Sequence, residues 1–325
     1  MKRKLLIYLS MASAASIALA AVPSGAAEYP TKTIHVVVPW KVGGGTDTIA
    51  RGFTAAMENF IDQSIVVDNI SGASSATGNL KVARAKPDGY TVLLNGSGEI
   101  NVNLVFKNLP FSLDSYKYAG GFFSTPTYVL SHKDTPYRDL GHFLEIAKAN
   151  PGTLTAGTTG AANAHFLMAK AMQGITGIDF RIIPYQGGGP LKKALIGNQV
   201  DIGIIHSPVL LKEIKAGLIK VLASAGSLKL IQYPPIQGMK TLRDYDIPID
   251  IGTTRGLFVP KDTPQEIVDK LTEIAEKATK SEQFVKFAKR FGFAPSWLTP
   301  KQFEELNRRE LASYRDIKRK FIDKK

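Results

Sequence analysis

The chain of 325 residues contains no cysteine. This absence excludes disulfides, thiolate metal sites, a cysteine nucleophile and a lipid anchor attached through cysteine. Because no covalent crosslink can stabilise the fold, the protein must depend on its hydrophobic core. A chain of this length is long enough to form such a core, and it favours two domains over one.

Long apolar runs are missing beyond the N-terminus. Residues 1–27 begin with the basic stretch Lys2 to Lys4, continue through an apolar stretch from Leu5 to Val22, and end in small residues at Gly25 to Ala27. This order predicts a cleavable secretory signal over residues 1–27. Since no later stretch is long enough to span a membrane, we expect a soluble protein exported to the periplasm.

Acidic residues are scarce relative to basic ones, which gives a formal net charge of +13. The basic residues are nevertheless spread along the chain, and their densest group lies on a predicted C-terminal helix in which acids are interleaved. That pattern is typical of a solvated helix face, so we expect general attraction for anions and no nucleic-acid partner.

Sequence patterns for metal binding and hydrolysis are also absent. The five histidines show no metal-ligand spacing, and no G-x-S-x-G pattern occurs. We therefore expect no metal, no cofactor and no catalytic residues, and a protein that is not an enzyme. Among the histidines, His165 and His206 are the two that lie close to predicted ligand-binding loops.

Short β-branched runs alternate with longer helical patterns along most of the chain. This alternation predicts an α/β fold with βαβ units and mostly parallel sheets. We expect two α/β lobes, residues 28–126 with 252–325 and residues 127–251, joined by two crossing strands with a ligand cleft between them. No helix or strand is predicted between Asn95 and Tyr128.

The strongest local feature is the glycine-rich loop from Pro39 to Asp47, which follows the first predicted strand and opens a helix. Its three consecutive glycines allow the backbone to approach a ligand, and a helix N-terminus adds partial positive charge. The nucleotide P-loop is excluded because no Gly-Lys-Ser/Thr follows the last glycine. The loop therefore predicts an anion site; the alternative is a plain tight turn capped by Thr46 or Asp47.

A second polar loop, Gly157 to Asn163, also lies between a strand and a helix. Its hydroxyl and backbone N–H groups could complete a carboxylate site when they face the first loop. Thr158, Thr159 and Asn163 are equally ordinary cap residues, and His165 begins the next helix. Two carboxylates, Asp47 in the first loop and Asp201 at the end of the string Gly197 to Asp201, could each orient a water that donates to the ligand. The alternative for Asp201 is an acid at a strand edge.

Several strings resemble a known family, the substrate-binding receptors of tripartite tricarboxylate transporters, called Bug receptors. The strings are Pro39 to Asp47, Pro87 to Thr91, Asn150 to Gly152, Pro184 to Gly187, Gly197 to Asp201 and Arg255-Gly256. The resemblance covers the chain after the signal and implies a type II periplasmic binding-protein fold.

The resemblance also implies the residues that hold a ligand carboxylate, partly through waters. They are Trp40, Val42, Gly43 and Gly44 in the first loop, Thr158 and Thr159 in the second, and Asp201. Lys41 departs from the small residue or proline that is usual in the family, and it could reach a second ligand carboxylate or point to water.

These observations predict a monomeric receptor that captures a small mono- or dicarboxylate by closure of its lobes and delivers it to a tripartite membrane permease. One alternative is a ligand-presenting partner of a sensor kinase. Another is an exported hydrolase of similar fold.

Overall fold

A computed structural model of the chain describes residues 29–161, 163–206, 210–225, 236, 238–290, 292 and 294–323. The predicted signal, residues 1–27, lies outside this described part. Among the described residues, no helix combines the length and the apolar character needed to cross a membrane.

The first half of the chain builds a parallel βα unit. Strand β1 lies between β2 and β3 and runs parallel to both. β1 is buried on both faces except at His35, whose Nδ1 lies 2.9 Å from a carboxylate oxygen of Asp68 on β2. A strand covered on both faces needs an almost continuous apolar run, as here. The elements are β1 Ile34–Val38, α1 Gly45–Met57, β2 Ile65–Asn69, α2 Ala76–Ala83 and β3 Thr91–Gly96.

Two elements occupy the region in which the sequence predicted none. Helix α3 spans Ser97–Phe106, and the long strand β4 spans Tyr116–His132. Buried Asn101 and Asn103 occupy helix α3, and each donates side-chain hydrogen bonds to neighbouring backbone carbonyls. Because buried amides replace the apolar residues that define a helical period, the pattern failed to show this helix.

The second half of the chain builds a second sheet on the far part of β4. Strands β5, β6 and β7 are parallel, while β7 and β8 both pair antiparallel with β4. The predicted parallel arrangement therefore holds within each half, and the exceptions are β4, β8 and β9. The elements are α4 Leu140–Ala149, β5 Thr155–Thr158, α5 Ala164–Thr176, β6 Arg181–Pro184, α6 Gly188–Ile196, β7 Ile202–His206, α7 Leu211–Lys215 and β8 Ile219–Ala225.

Strand β9, Gly252–Pro260, returns the chain to the first sheet. It lies between β3 and β4 and is antiparallel to both. The complete strand order is β2-β1-β3-β9-β4-β7-β5-β6, with β8 also paired to β4. β4 pairs with β9 as far as Pro126 and with β7 from Thr127 onward, so it crosses from one sheet to the other at that point.

The C-terminal helices cover the first sheet and reach the second. They are α8 Gln265–Lys280, α9 Glu282–Lys289 and α10 Pro300–Phe321. Phe53 of α1 packs against both Phe122 of β4 and Phe284 of α9, and these two rings also contact each other, which ties the helices to the first core. At its other end, α10 brings Phe321 against Gly174 of α5. The last helix therefore contacts elements of both sheets.

Candidate functional site

The carboxyl ends of four strands converge where β4 crosses between the sheets. Trp40, after β1, donates from Nε1 to Asn95 of β3 at 3.1 Å. Glu99, after β3, has Oε1 at 3.9 Å from Nε2 of His206, the last residue of β7. The ring of His165, after β5, lies 4.3 Å from the ring of His206. The polar loops predicted from the sequence therefore surround one place, at which open α/β sheets commonly bind ligands.

Asp47 fixes the shape of the first loop. Its buried carboxylate accepts hydrogen bonds from Gly43 N at 2.8 Å, Asn69 Nδ2 at 2.9 Å and Arg51 Nε at 3.2 Å. Burial alone would raise the pKa of Asp47, but these hydrogen bonds and the Arg51 charge outweigh it and lower the pKa. Gly43 has φ of +79°, a backbone conformation that favours glycine.

Helix α1 begins at Gly45, with Gly44 as its N-cap and no side-chain cap bond. The expected cap at Thr46 or Asp47 is therefore displaced, because the helix starts before both residues. The first backbone N–H of α1 with an intrahelical acceptor is that of Thr48, which donates to Gly44 O at 2.9 Å. The N–H groups of Gly45, Thr46 and Asp47, in the first turn of α1, have no acceptor among the described residues, so they are open donors for an anion. The N–H groups of Gly43 and Gly44 are already used, by Asp47 Oδ2 and by Lys41 O at 3.3 Å.

The remaining first-loop residues divide into one anchored and two exposed side chains. Trp40 is half-buried, and its carbonyl accepts from Asn69 Nδ2 at 3.0 Å. Lys41 is exposed, and the side chain of Val42 is 71% exposed. Single exposed apolar side chains are common on protein surfaces, so the exposure of Val42 indicates only that this side chain makes little contact with the rest of the protein.

The side chains of the second loop are bonded mainly to one another. Thr158 Oγ1 donates to Gly160 O at 2.9 Å, and Asn163 caps α5 by accepting from Phe166 N at 3.0 Å. Asn163 Nδ2 also donates to Thr159 Oγ1 at 2.8 Å, and that hydroxyl lies 2.6 Å from His165 Nδ1. The cap role considered for Asn163 is therefore observed. These side-chain bonds hold the loop in one conformation.

Two histidines and two charged residues form a buried cluster beside these loops. Burial, with the Arg255 guanidinium nearby, lowers the pKa of His206 to about 3. Burial and the neighbouring His206 lower the pKa of His165 well below its usual value. Both rings are therefore neutral at pH 7. Arg255 is buried on β9 and donates to Thr125 Oγ1 at 3.3 Å, and its charge lies close to Glu99.

The carboxylate of Glu99 packs directly on the backbone of β3. Its Oε2 accepts from Thr253 Oγ1 at 2.5 Å. A methyl group at Gly96 would overlap both the Glu99 carboxylate and the Thr253 hydroxyl. Sequence reasoning assigned no role to Glu99, Gly96 or Arg255. Helix α3, which carries Glu99, was not predicted, and the string Arg255-Gly256 indicated the family without indicating a function for its arginine.

The structure does not bring Asp201 together with the other residues predicted for the site. Asp201 precedes β7, whereas the converging groups follow β5 and β7. Its carboxylate accepts from Tyr137 Oη at 2.6 Å and from Thr155 N and Oγ1 at 2.8 and 2.7 Å. Since β5 and β7 are parallel with Gly157 opposite Gly203, Asp201 lies at the amino-terminal edge of these strands. Its observed role is to link the start of β7 to Thr155 at the start of β5 and to Tyr137.

A separate surface cavity of about 400 Å³ lies between the end of α3 and helix α10. Lys107, Phe111, Arg308 and Leu311 are among the residues that line it, and no residue of the two loops does. Among the described residues, no group of three or more histidine or acidic side chains could hold a metal ion.

The fold and the converging loops define a class of protein, the type II solute-binding proteins with two lobes. Residues 49–321 match the family described as tripartite tricarboxylate transporter family receptor, so the chain belongs to this family. The resemblance seen in the sequence is thus confirmed.

Individual relatives agree with this assignment. A UPF0065 protein of Bordetella pertussis is 30% identical, over 86% of this chain and 86% of that protein. A solved structure described as a periplasmic transporter has a TM-score of 0.81 at 31% identity and covers 90% of this chain and 98% of its own. MatC of Rhodopseudomonas palustris, solved with bound malate, has a TM-score of 0.77 at 26% identity, with coverage of 89% and 99%.

Proposed function

We propose that this protein is a periplasmic receptor that captures a small organic carboxylate and delivers it to a tripartite tricarboxylate-type permease. The observation that carries the proposal is the open first turn of α1, which follows a glycine-rich loop held by Asp47 and whose backbone N–H groups have no acceptor among the described residues. A helix N-terminus of this kind stabilises a carboxylate through both hydrogen bonds and the helix dipole.

The geometry supports a ligand position between the two loops. We assign to one side of the ligand Trp40, Lys41, Val42, Gly43 and Gly44, and to the other Thr158, Thr159, Asn163 and His165. The His165–His206 contact and the Trp40–Asn95 bond connect these groups around the crossing of β4. The related MatC structure contains malate, a dicarboxylate, which is consistent with an acid ligand.

Capture by closure requires two bodies that rotate about a small number of connections. We assign residues 28–126 with 252–325 to one lobe and residues 127–251 to the other. The change of partner on β4 between Pro126 and Thr127, opposite Gly252 of β9, is the feature that supports this division. The family description supports a membrane transporter as the partner, and we expect the receptor to act as a monomer.

The proposal is tested by isothermal titration of protein freed of bound ligand by unfolding and refolding. The panel contains monocarboxylates, dicarboxylates, amino acids and aromatic acids. At least one acid should bind without chemical change, which is checked by mass spectrometry of the recovered ligand. Absence of binding across the panel would refute carboxylate capture, and recovery of an altered compound would indicate a hydrolase. Co-purification with a kinase ectodomain in place of a permease would refute delivery to a permease.

The contribution of Lys41 is tested with the variant Lys41→Ala. Since Lys41 is exposed on the first loop, its removal should weaken a dicarboxylate more than the monocarboxylate of the same length. Lys86→Ala, at an exposed position after α2, is the matched control and should leave both affinities unchanged. Equal losses for the two ligands would contradict a direct contact with a second carboxylate.

A further inference from the structure

Two buried ring nitrogens at the candidate site lack any hydrogen-bond partner among the described residues. They are Nε2 of His165 and Nε2 of His206, on side chains of residues that are 6% and 7% exposed. A buried polar atom without a partner destabilises the structure, because it has lost its bonds to water and gained none in return. Such an atom in a binding protein therefore indicates a position that the ligand completes.

The hydrogen bonds of Thr159 fix the tautomer of His165. Thr159 Oγ1 accepts from Asn163 Nδ2 and has its own proton to donate, and His165 Nδ1 lies 2.6 Å away. The hydroxyl donates to Nδ1, because no other acceptor for its proton is found within the described part of the chain. A neutral ring that accepts at Nδ1 carries its proton on Nε2. His165 therefore presents an N–H donor.

The two ring nitrogens of His206 have different surroundings. Its Nδ1 lies 3.0 Å from Thr127 Oγ1, a hydroxyl that can donate or accept. Its Nε2 has no hydrogen-bond partner among the described residues and lies 3.9 Å from Glu99 Oε1, which is an acceptor. A ligand group that donates to Glu99 would therefore lie within reach of both His206 and the N–H of His165.

The charges of the cluster are already balanced. Glu99 is negative, the buried Arg255 beside it is positive, and both histidines are neutral. A second ligand carboxylate placed here would add an uncompensated buried charge facing the Glu99 carboxylate. An ammonium group would face the N–H of His165. A hydroxyl or a primary amide can donate to Glu99 and accept from His165.

We propose that Glu99, His165 and His206 form a specificity subsite for an uncharged ligand group that both donates and accepts hydrogen bonds. This inference rests on the proposed function, and it narrows the ligand to a carboxylic acid that carries a hydroxyl or primary amide at its other end. A dicarboxylate would have to place its second carboxylate elsewhere.

The test compares acids of equal chain length that differ only in the far group. For four carbons the probes are succinamate, 4-hydroxybutyrate, succinate and 4-aminobutyrate, and matched sets extend from three to six carbons. In the wild type, the tightest-binding amide or hydroxy acid should bind at least about tenfold tighter than the dicarboxylate and the amino acid of its length, since one satisfied buried hydrogen bond is worth about 1.4 kcal/mol.

The variant Glu99→Gln separates this subsite from the carboxylate loops. The glutamine amide adds a donor and removes the charge. The preference for the amide or hydroxy acid over the dicarboxylate of equal length should therefore fall at least about tenfold. Glu145→Gln, at an exposed position on α4, is the control and should keep the wild-type preference. An unchanged preference in Glu99→Gln, or a wild type that binds the dicarboxylate as tightly as the amide and the hydroxy acid, would overturn the subsite.

The outcomes distinguish this inference from the proposed function. If acids of the first panel bind but no member of any matched set does, the subsite is overturned and carboxylate capture stands. Nitrogen NMR of the wild-type histidines supplies a readout that does not depend on the variant folding. It should show a proton on Nε2 of His165, and a proton on Nδ1 of that ring instead would overturn the inference.

Discussion

Replacement of Asp47 by asparagine tests whether the buried carboxylate holds the first loop. One carboxylate oxygen accepts from Gly43 N and Arg51 Nε, and the other from Asn69 Nδ2, with Arg51 Nη2 at 3.1 Å. An asparagine has one oxygen and one NH₂ group. In either orientation of its amide, the NH₂ group therefore faces N–H donors that the carboxylate had accepted from. Hydrogen bonds to a charged group contribute about 1.5–3 kcal/mol each. Allowing for the partial exposure of Arg51, we expect Asp47→Asn to lower the free energy of unfolding by about 2–4 kcal/mol.

The assay is urea denaturation at pH 7, with isothermal titration of a bound acid on the same samples. Affinity should fall at least about tenfold, because the N–H groups of the first turn lose their fixed direction. Asp262→Asn is the matched control, since this carboxylate is exposed and makes no hydrogen bond in the described part of the chain. A loss of unfolding free energy below about 0.5 kcal/mol for Asp47→Asn, within the usual range of surface substitutions, would refute the reasoning.

The pH dependence provides an independent check on Asp47. Its pKa is lowered in the folded protein, so the carboxylate contributes stability above the unfolded pKa of about 3.9. That contribution is lost as the pH falls through the folded pKa. The stability difference between wild type and Asp47→Asn should therefore narrow below about pH 4.

Three further predictions concern the buried cluster and its surroundings. Gly96→Ala should displace Glu99 and cost about 1–3 kcal/mol in urea denaturation, whereas Gly189→Ala, which meets no atom within 4 Å, should cost nothing. Burial raises the pKa of Glu310 to about 8, so the free energy of unfolding of the wild type should fall as the pH rises from 4.5 to 8. Glu310→Gln should flatten this slope and be about 1 kcal/mol more stable than the wild type at pH 8. Parallel pH profiles of the two proteins would contradict this prediction. Because the pKa of His206 is lowered in the folded protein, the imidazole binds a proton more readily in the unfolded chain below pH 6.5. Between pH 6.5 and 4.5 the wild type should therefore lose more stability than His206→Gln, which is measured from the midpoints of urea denaturation.

Sequence reasoning succeeded where one residue type determines the local conformation. The glycines of the first loop and the polar residues of the second identified both carboxyl-terminal loops, because turns and helix starts need those residues. Residue packing was harder to predict. Helix α3 begins Ser-Gly-Glu-Ile-Asn-Val-Asn, and its buried asparagines carry tertiary hydrogen bonds that no local period shows.

Asp201 shows a different reason for a missed placement. A motif places a residue along the chain but does not state which end of a sheet it occupies. Asp201 enters β7 whereas His206 leaves it, so the two lie at opposite edges of the strand. Only the pairing of β5 with β7 reveals that Asp201 bonds to Thr155. Its proposed contact with a ligand-bound water therefore has no geometric support here.

The position of β9 also determines the order in which the protein can fold. Leu93 of β3 pairs with Phe258, and Lys117 of β4 pairs with Val259, so β9 fills a gap between two strands that are made long before it. Until residues 252–260 have been synthesised, the facing edges of β3 and β4 have no partner strand between them. Unpaired strand edges are sites of intermolecular association. A nascent or truncated chain that ends before Gly252 therefore exposes both edges, and the first lobe can reach its native state only after most of the polypeptide is available.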